Sequence, residues 1–252
     1  RRLAMSEYVA AVMRDAVGGG KDRLVYDAKN GLILPGTLVR KEGDAPSADV
    51  AVNEAYDGSG ATYDLYKDVY NRDSIDGNGM QLKSTVHYRK GYDNAFWNGD
   101  QMVYGDGDED QPEDDRLFNR FTIAIDIIGH ELTHGVTQFE AKLVYSYQPG
   151  ALNESMSDVF GSLVKQRFLN HTAAQADWII GEGLFTPNVN GGGIRSMKEP
   201  GPAYDVRQVG GRRVTGHGQA DVDRGGHGDR LRIPGHGIPL RARRVRGEVT
   251  GK

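Results

Sequence analysis

Ile127-Ile128-Gly129-His130-Glu131-Leu132-Thr133-His134 sets two histidines and a glutamate within one apolar run. His130 and His134 stand four apart, with Glu131 directly after the first. An α-helix turns about 100° per residue, so residues four apart lie nearly above one another, about 6 Å along the axis. Two imidazoles so placed can hold one metal ion. Glu131, offset around the helix, can act on a water at that metal without binding the metal itself. Phe121-Thr122-Ile123-Ala124-Ile125-Asp126 before the stretch and Gly135-Val136-Thr137 after it suit a helix over residues 121–138. Alone, the pattern fixes only three positions, and two unrelated histidines on an ordinary helix match it equally well.

A second stretch narrows the reading. Twenty residues after His134 lies Glu154, within Asn153-Glu154-Ser155-Met156-Ser157-Asp158. Met156, Val159, Phe160 and Leu163 recur at helical spacing and predict a helix over residues 151–168, begun by Asn153 or Ser155. Glu154 and Asp158 then share a face. Glu154 can be a third ligand, and Asp158 can accept the second N–H of a ligating histidine and fix its tautomer. Two His and one Glu leave the fourth tetrahedral position open, as in a catalytic rather than a structural zinc site.

The rest of the chain frames that centre. The 252 residues, 38% of them apolar, are enough for one large domain or two modest ones. No cysteine is present, so packing or bound ions must supply any ruggedness. There is no run of 18 apolar residues to span a membrane. Arg1-Arg2, with neither an initiator Met nor a signal peptide, is read as part of a longer precursor. Net charge is −4. Residues 206–252 hold ten Arg and one Lys against four acids, +7 in all, which leaves −11 on residues 1–205. That acidic body argues against nucleic acid as a partner.

In chain order, residues 1–20 read as a helix with Leu3, Met5, Tyr8, Val9, Val12 and Met13 on one side. Short β-prone runs follow at Leu24-Val25-Tyr26, Thr37-Leu38-Val39 and Thr85-Val86-His87-Tyr88. Asn30-Gly31, Asp57-Gly58 and Asp76-Gly77 read as turns, and Ala51–Arg72 as a helix across the sheet. His87 lacks a partner motif and is read as structural. The acids Asp106, Asp108, Glu109, Asp110, Glu113, Asp114 and Asp115 read either as a calcium-binding loop or as a solvated turn.

His130-Glu131-Leu132-Thr133-His134-Gly135-Val136-Thr137 and the Asn153–Asp158 stretch resemble the thermolysin family of zinc metalloendopeptidases, over residues 22–205. Asn94-Ala95-Phe96-Trp97-Asn98-Gly99 and Gln101-Met102-Val103-Tyr104-Gly105-Asp106-Gly107-Asp108 resemble the family's substrate-edge segment. Val52-Asn53-Glu54-Ala55-Tyr56-Asp57 resembles the short-propeptide branch typified by protealysin and griselysin. The resemblance implies an α+β fold. A β-rich N-terminal lobe would fill residues 23–120, and the zinc-site helices with the start of a truncated helical lobe residues 121–205. Residues 1–22 would be a propeptide remnant. It also implies a secreted, monomeric zymogen-derived enzyme acting on peptide or protein substrates with Zn²⁺. His130, His134 and Glu154 are the implied ligands, Glu131 the general base, and Tyr145 and Arg195 the holders of the oxyanion and the carbonyl. Asp158 orients a ligand. Asn94 and Ala95 meet substrate backbone by strand addition. Phe118, Phe121, Ile127, Ile180 and Ile194 line an apolar pocket for the residue after the scissile bond, in place of the plain core their type suggests. Asp126, Asp177 and Glu182 match Ca²⁺ positions, but Lys165 stands where calcium-rich relatives have an acid, which allows one Ca²⁺ at most.

After Asp205 the resemblance ends. Residues 206–252 contain eleven Gly and ten Arg and no Phe, Tyr or Trp, and read as a disordered tail or one translated in a shifted frame. His217, His227 and His236 do not match the family's C-terminal histidine. A zinc-binding but catalytically impaired chain is therefore the alternative reading. Apolar faces at Ile125, Leu132, Val159 and Leu163 would be left uncovered, with low stability as the result.

Overall fold

The computed structural model describes residues 20–199 and, beyond them, the backbone of three short strands. The helix read over residues 1–20 lies outside the described residues, apart from Gly20, as does most of the tail. The N-terminal part is a five-stranded sheet with a helix across it. The strands are β1 (Arg23–Asp27), β2 (Thr37–Lys41), β3 (Leu82–Val86), β4 (Ala95–Trp97) and β5 (Met102–Tyr104), in the order β2-β1-β3-β5-β4. β1, β3 and β5 run parallel, and β2 and β4 close the two edges antiparallel. β3 stops before His87, whose φ of 53° turns the chain out of the sheet.

Helix α1 (Val50–Tyr70) covers the sheet. Asp49 caps it, its carboxylate accepting from the Ala51 and Val52 amides at 2.9 and 3.4 Å. Asn71 ends it in the left-handed conformation. Asp57-Gly58, expected as a turn, lies in the middle of α1. Two residues along a helix is about 200° around it, so Gly58 and Gly60 face opposite ways. A Cβ on Gly58 would meet the Ile128 side chain, and one on Gly60 the Arg23 guanidinium. The small residues let α1 be packed from both sides, which offsets their low helix propensity of about 1 kcal/mol each.

The histidine stretch is on α2 (Ile125–Glu140) and Glu154 on α3 (Tyr147–Phe168). The α3 helix starts well before Asn153 or Ser155. Pro149 is tolerated in its first turn, where amides have no intrahelical partner. The two helices meet through glycine. A Cβ on Gly129 would stand 3.0 Å from Val164 Cβ and 3.1 Å from Gly161 Cα, and one on Gly161 would fall on the Asp126 carbonyl oxygen. After α3, β6 (Ile179–Ile180) pairs with β7 (Arg195–Ser196), with Ile180 opposite Arg195. One apolar cluster runs from Val25 in β1 through α1 and α2 to Val189, so the core is continuous across residue 120. In the tail, β8 (Gln208–Val209), β9 (Arg212–Val214) and β10 (Ala220–Val222) form an antiparallel sheet where no strand period was expected. No helix among the described residues is long and apolar enough to cross a membrane.

His87 is a tie between elements. Its Nδ1 bonds Asp106 at 2.9 Å and its Nε2 bonds Asp49 at 2.8 Å. The Asp106 bond, opposed by burial and helped by Asp49, pushes its pKa up to about 9. The acidic loop does not converge on a cage. Asp106 is taken by His87, Asp108 accepts the Leu117 and Phe118 amides at 2.8 and 3.0 Å, and Glu109 pairs with Arg120 at 3.2 Å.

Candidate metal centre

His130 and His134 project from α2 toward Glu154 on α3, and the three offer ligand atoms within 4.8 Å of one another. This is the one group of three or more metal-binding side chains so gathered among the described residues. His130 Nδ1 lies 2.8 Å from Asp158 Oδ1. A carboxylate cannot donate, so Nδ1 carries a proton, and in the neutral ring Nε2 is left as a lone pair. His134 Nδ1 is fixed in the same way, 2.7 Å from Asn153 Oδ1 and 3.0 Å from Ser157 Oγ. The two Nε2 atoms consequently face each other at 3.1 Å. Two lone pairs at that distance repel unless a proton or a metal ion lies between them.

The spacing suits a metal of zinc's size. Ligands about 2.05 Å from a tetrahedral ion are about 3.3 Å apart. Glu154 Oε2 is 3.4 Å from His130 Nε2, Glu154 Oε1 is 3.5 Å from His134 Nε2, and the imidazoles are 3.1 Å apart. Electrostatics agree. Burial opposes a charge on His130, yet the bonds to Asp158 and Glu154 push its pKa up to about 10. Burial and the neighbouring His130 push His134 down to about 4. The pair thus calls for one positive charge, not two.

Glu131 sits at the mouth of the triad, its Oε1 4.0 Å from His130 Nε2. Its Oε2 accepts the Trp97 amide of edge strand β4 at 3.3 Å. Burial, with Glu154 adding and His130 opposing, pushes its carboxyl up to about 7. Arg195 grips Asp158 with two bonds, Nε to Oδ2 at 2.8 Å and Nη2 to Oδ1 at 2.6 Å. Those contacts and His130 hold Asp158 well below the usual carboxylate range against the cost of burial. The Tyr145 ring stands edge-on to His134, with centroids 5.4 Å apart.

The chain is matched over residues 11–138 by the thermolysin metallopeptidase catalytic-domain model, and over residues 141–226 by the model of that family's alpha-helical domain. The chain belongs to the thermolysin metallopeptidase family. Zinc is the metal of that family, and His130, His134 and Glu154 are the candidate ligands here. Protease PrtS of Photorhabdus sp. (strain Az29) is 54% identical over 195 residues, 77% of this chain and 51% of that protein. An extracellular metalloprotease of Pectobacterium carotovorum subsp. carotovorum is 52% identical over 192 residues, 76% of this chain and 54% of that protein. A solved structure, the precursor of protealysin, a metalloproteinase from Serratia proteamaculans, superposes with a TM-score of 0.70 at 57% identity, covering 75% of this chain and 56% of that one. This chain therefore spans about half the length of the curated relatives it matches. The helical-domain match reaches residue 226, past Asp205 where the sequence resemblance was read to end.

The structure brings Glu131, Asp158, Arg195 and Tyr145 to the triad, and Asn94 and Ala95 to edge strand β4 or just before it. Phe118, Phe121, Ile127 and Ile180 are buried in the main cluster, as core residues would be, and Ile194, half-buried, packs against it. Asp126, Asp177 and Glu182 do gather, but around the Lys165 ammonium. Reading the sequence missed Asn153 and Ser157 as His134 partners and the Trp97 amide as a partner of Glu131. The sequence offers Asn153 only as a helix cap, because no capping side chain marks the start of α3 at Tyr147.

Proposed function

We propose that this chain forms the metal-bearing half of a zinc-dependent metalloendopeptidase. The observation that carries it is the pair of tautomer-locked Nε2 atoms 3.1 Å apart, completed by Glu154, with Glu131 alongside. Zinc held there would act as a Lewis acid on the scissile carbonyl and would lower the pKa of a water. With the metal in place Glu131 would be the base that takes a water's proton and returns it to the leaving amine. Its bond from the Trp97 amide holds the carboxylate toward edge strand β4. Tyr145 and Arg195 donate to the developing oxyanion and the carbonyl. Substrate backbone adds to β4 beside Asn94 and Ala95, an edge whose outer side lacks a strand partner among the described residues. The extracellular relative supports secretion, and the solved relative, itself a precursor, supports release from a zymogen. One calcium at most was expected at Asp126, Asp177 and Glu182.

Phe121, Ile127 and Ile194 are large and apolar, which supports a preference for Leu, Phe or Ile after the scissile bond. Profiling a peptide library with and without a zinc chelator tests both parts. The expected result is chelator-sensitive cleavage before bulky apolar residues. Cleavage before basic residues, or cleavage indifferent to chelation, would refute the reading.

A zinc-binding but impaired chain is favoured by a different observation. Phe139, Val144, Tyr147, Leu152 and Met156, at the end of α2 and on or before α3, are exposed, Tyr147 at 85% and Val144 at 68%. They replace the expected set. Leu132 is buried, and Ile125, Val159 and Leu163 are half-buried. Stoichiometric zinc without turnover in the same assay selects this second reading.

A further inference from the structure

Lys165, on the last turns of α3, reaches into an acidic cluster away from the metal centre. Its Nζ is 2.7 Å from Asp177 Oδ2, 2.8 Å from Glu182 Oε2 and 3.6 Å from Asp126 Oδ2, and it donates to the Ile179 carbonyl at 3.4 Å. Lys165 is 7% exposed and Asp126 only 1%. Both Asp126 carboxylate oxygens are buried without a full hydrogen bond. Burial pushes that carboxyl up to about 6, with the Lys165 charge opposing the rise. Asp126, Asp177 and Glu182 are the residues that the family resemblance offers to calcium.

The cluster does not fit that ion. Calcium takes six to eight oxygens at about 2.3–2.6 Å. Here an ammonium already occupies the point on which the carboxylates converge, and it uses the same Asp177 and Glu182 oxygens. A dication beside it would face a full positive charge within a few ångström, screened by solvent only on the exposed Asp177 and Glu182 side. We propose that the Lys165 ammonium is the built-in cation of this cluster, standing where a bound divalent ion would otherwise be needed. It acts as a positioning residue. It ties α3 and the first turn of α2 to β6, β6 pairs with β7, and β7 carries Arg195, which grips Asp158 and through it His130.

The test uses the full 252-residue chain, zinc-loaded, in buffer stripped of other metals. Thermal melting is followed with and without added CaCl₂ for the wild type, Lys165→Glu, Lys165→Ser and Asp177→Asn. Zinc content is checked separately. The wild type is expected to show no calcium shift that depends on Asp177. Lys165→Glu, or Lys165→Ser if the first fails to fold, is expected to melt lower without calcium. With calcium at about a hundred times its Kd, that variant should recover by about 5–10 °C. A wild-type calcium shift removed by Asp177→Asn would overturn the proposal. So would a folded Lys165 variant that gains nothing from calcium. Melting is read without reference to turnover, so failure here and failure of the peptidase reading are separable.

Discussion

Glu131→Gln is expected to keep zinc bound while peptide turnover falls by about 10²–10⁴-fold, the usual contribution of a positioned general base. Gln has the shape of Glu and still accepts the Trp97 amide, but it cannot take a proton. Glu131 is not one of the three converging ligands, and its nearest carboxylate oxygen stays 4.0 Å from His130 Nε2, so the metal should be indifferent to the change. The native carboxyl is raised toward neutrality by burial, whereas a cation at the triad favours its charged form, the form a base needs. Zinc content and kcat/KM on one peptide, measured on the same preparations, separate the roles. Unchanged kcat/KM would remove Glu131 from the chemistry. Loss of zinc would instead make it a ligand.

Gly161→Ala is expected to lower stability by about 1–3 kcal/mol or more and to weaken zinc binding with it. The added methyl would fall on the Asp126 carbonyl oxygen of α2 and stand 3.1 Å from the His130 amide nitrogen. Neither atom belongs to a flexible side chain, so α2 and α3 must move apart. His130 is on one helix and Glu154 and Asp158 on the other, so their separation spoils the ligand spacing directly. Gly192→Ala is the control. Its methyl would meet only Ile179 Cγ1 at 4.0 Å, and its effect should stay within about 0.5 kcal/mol. Chemical denaturation and zinc titration of both variants check the contrast. Equal behaviour would show that the glycine contact does not set the helix spacing.

Much of the site was legible because helical spacing is local. His130 with His134, and Glu154 with Asp158, need only the period of a helix to share faces. An Asp158 bond to one of the two histidines followed from the same count, and the strands around Val25 and Leu38 from local β propensity. What stayed hidden depends on contacts between elements distant in sequence. Gly58 and Gly161 look like breaks or fillers until the opposing helix is in place. Asp57-Gly58 read as a turn for that reason, although α1 runs straight through it. Asn153 became a His134 partner only because α3 begins at Tyr147, and no side-chain cap marks that start. The apolar residues left exposed were misjudged in the same way. Leu132 turns toward the core and is 1% exposed, while Leu152 and Met156 on α3 are exposed. Lys165 was legible as a misfit among acids, but its contact with three carboxylates at once needed the fold.

The most direct measurement is the zinc stoichiometry of the metal-stripped chain after titration, by elemental analysis, for the wild type and Glu154→Ala. One zinc per wild-type chain and loss of tight binding in Glu154→Ala is the expected result. No bound zinc in the folded wild type, or zinc held equally well without Glu154, would contradict a metal centre built from His130, His134 and Glu154.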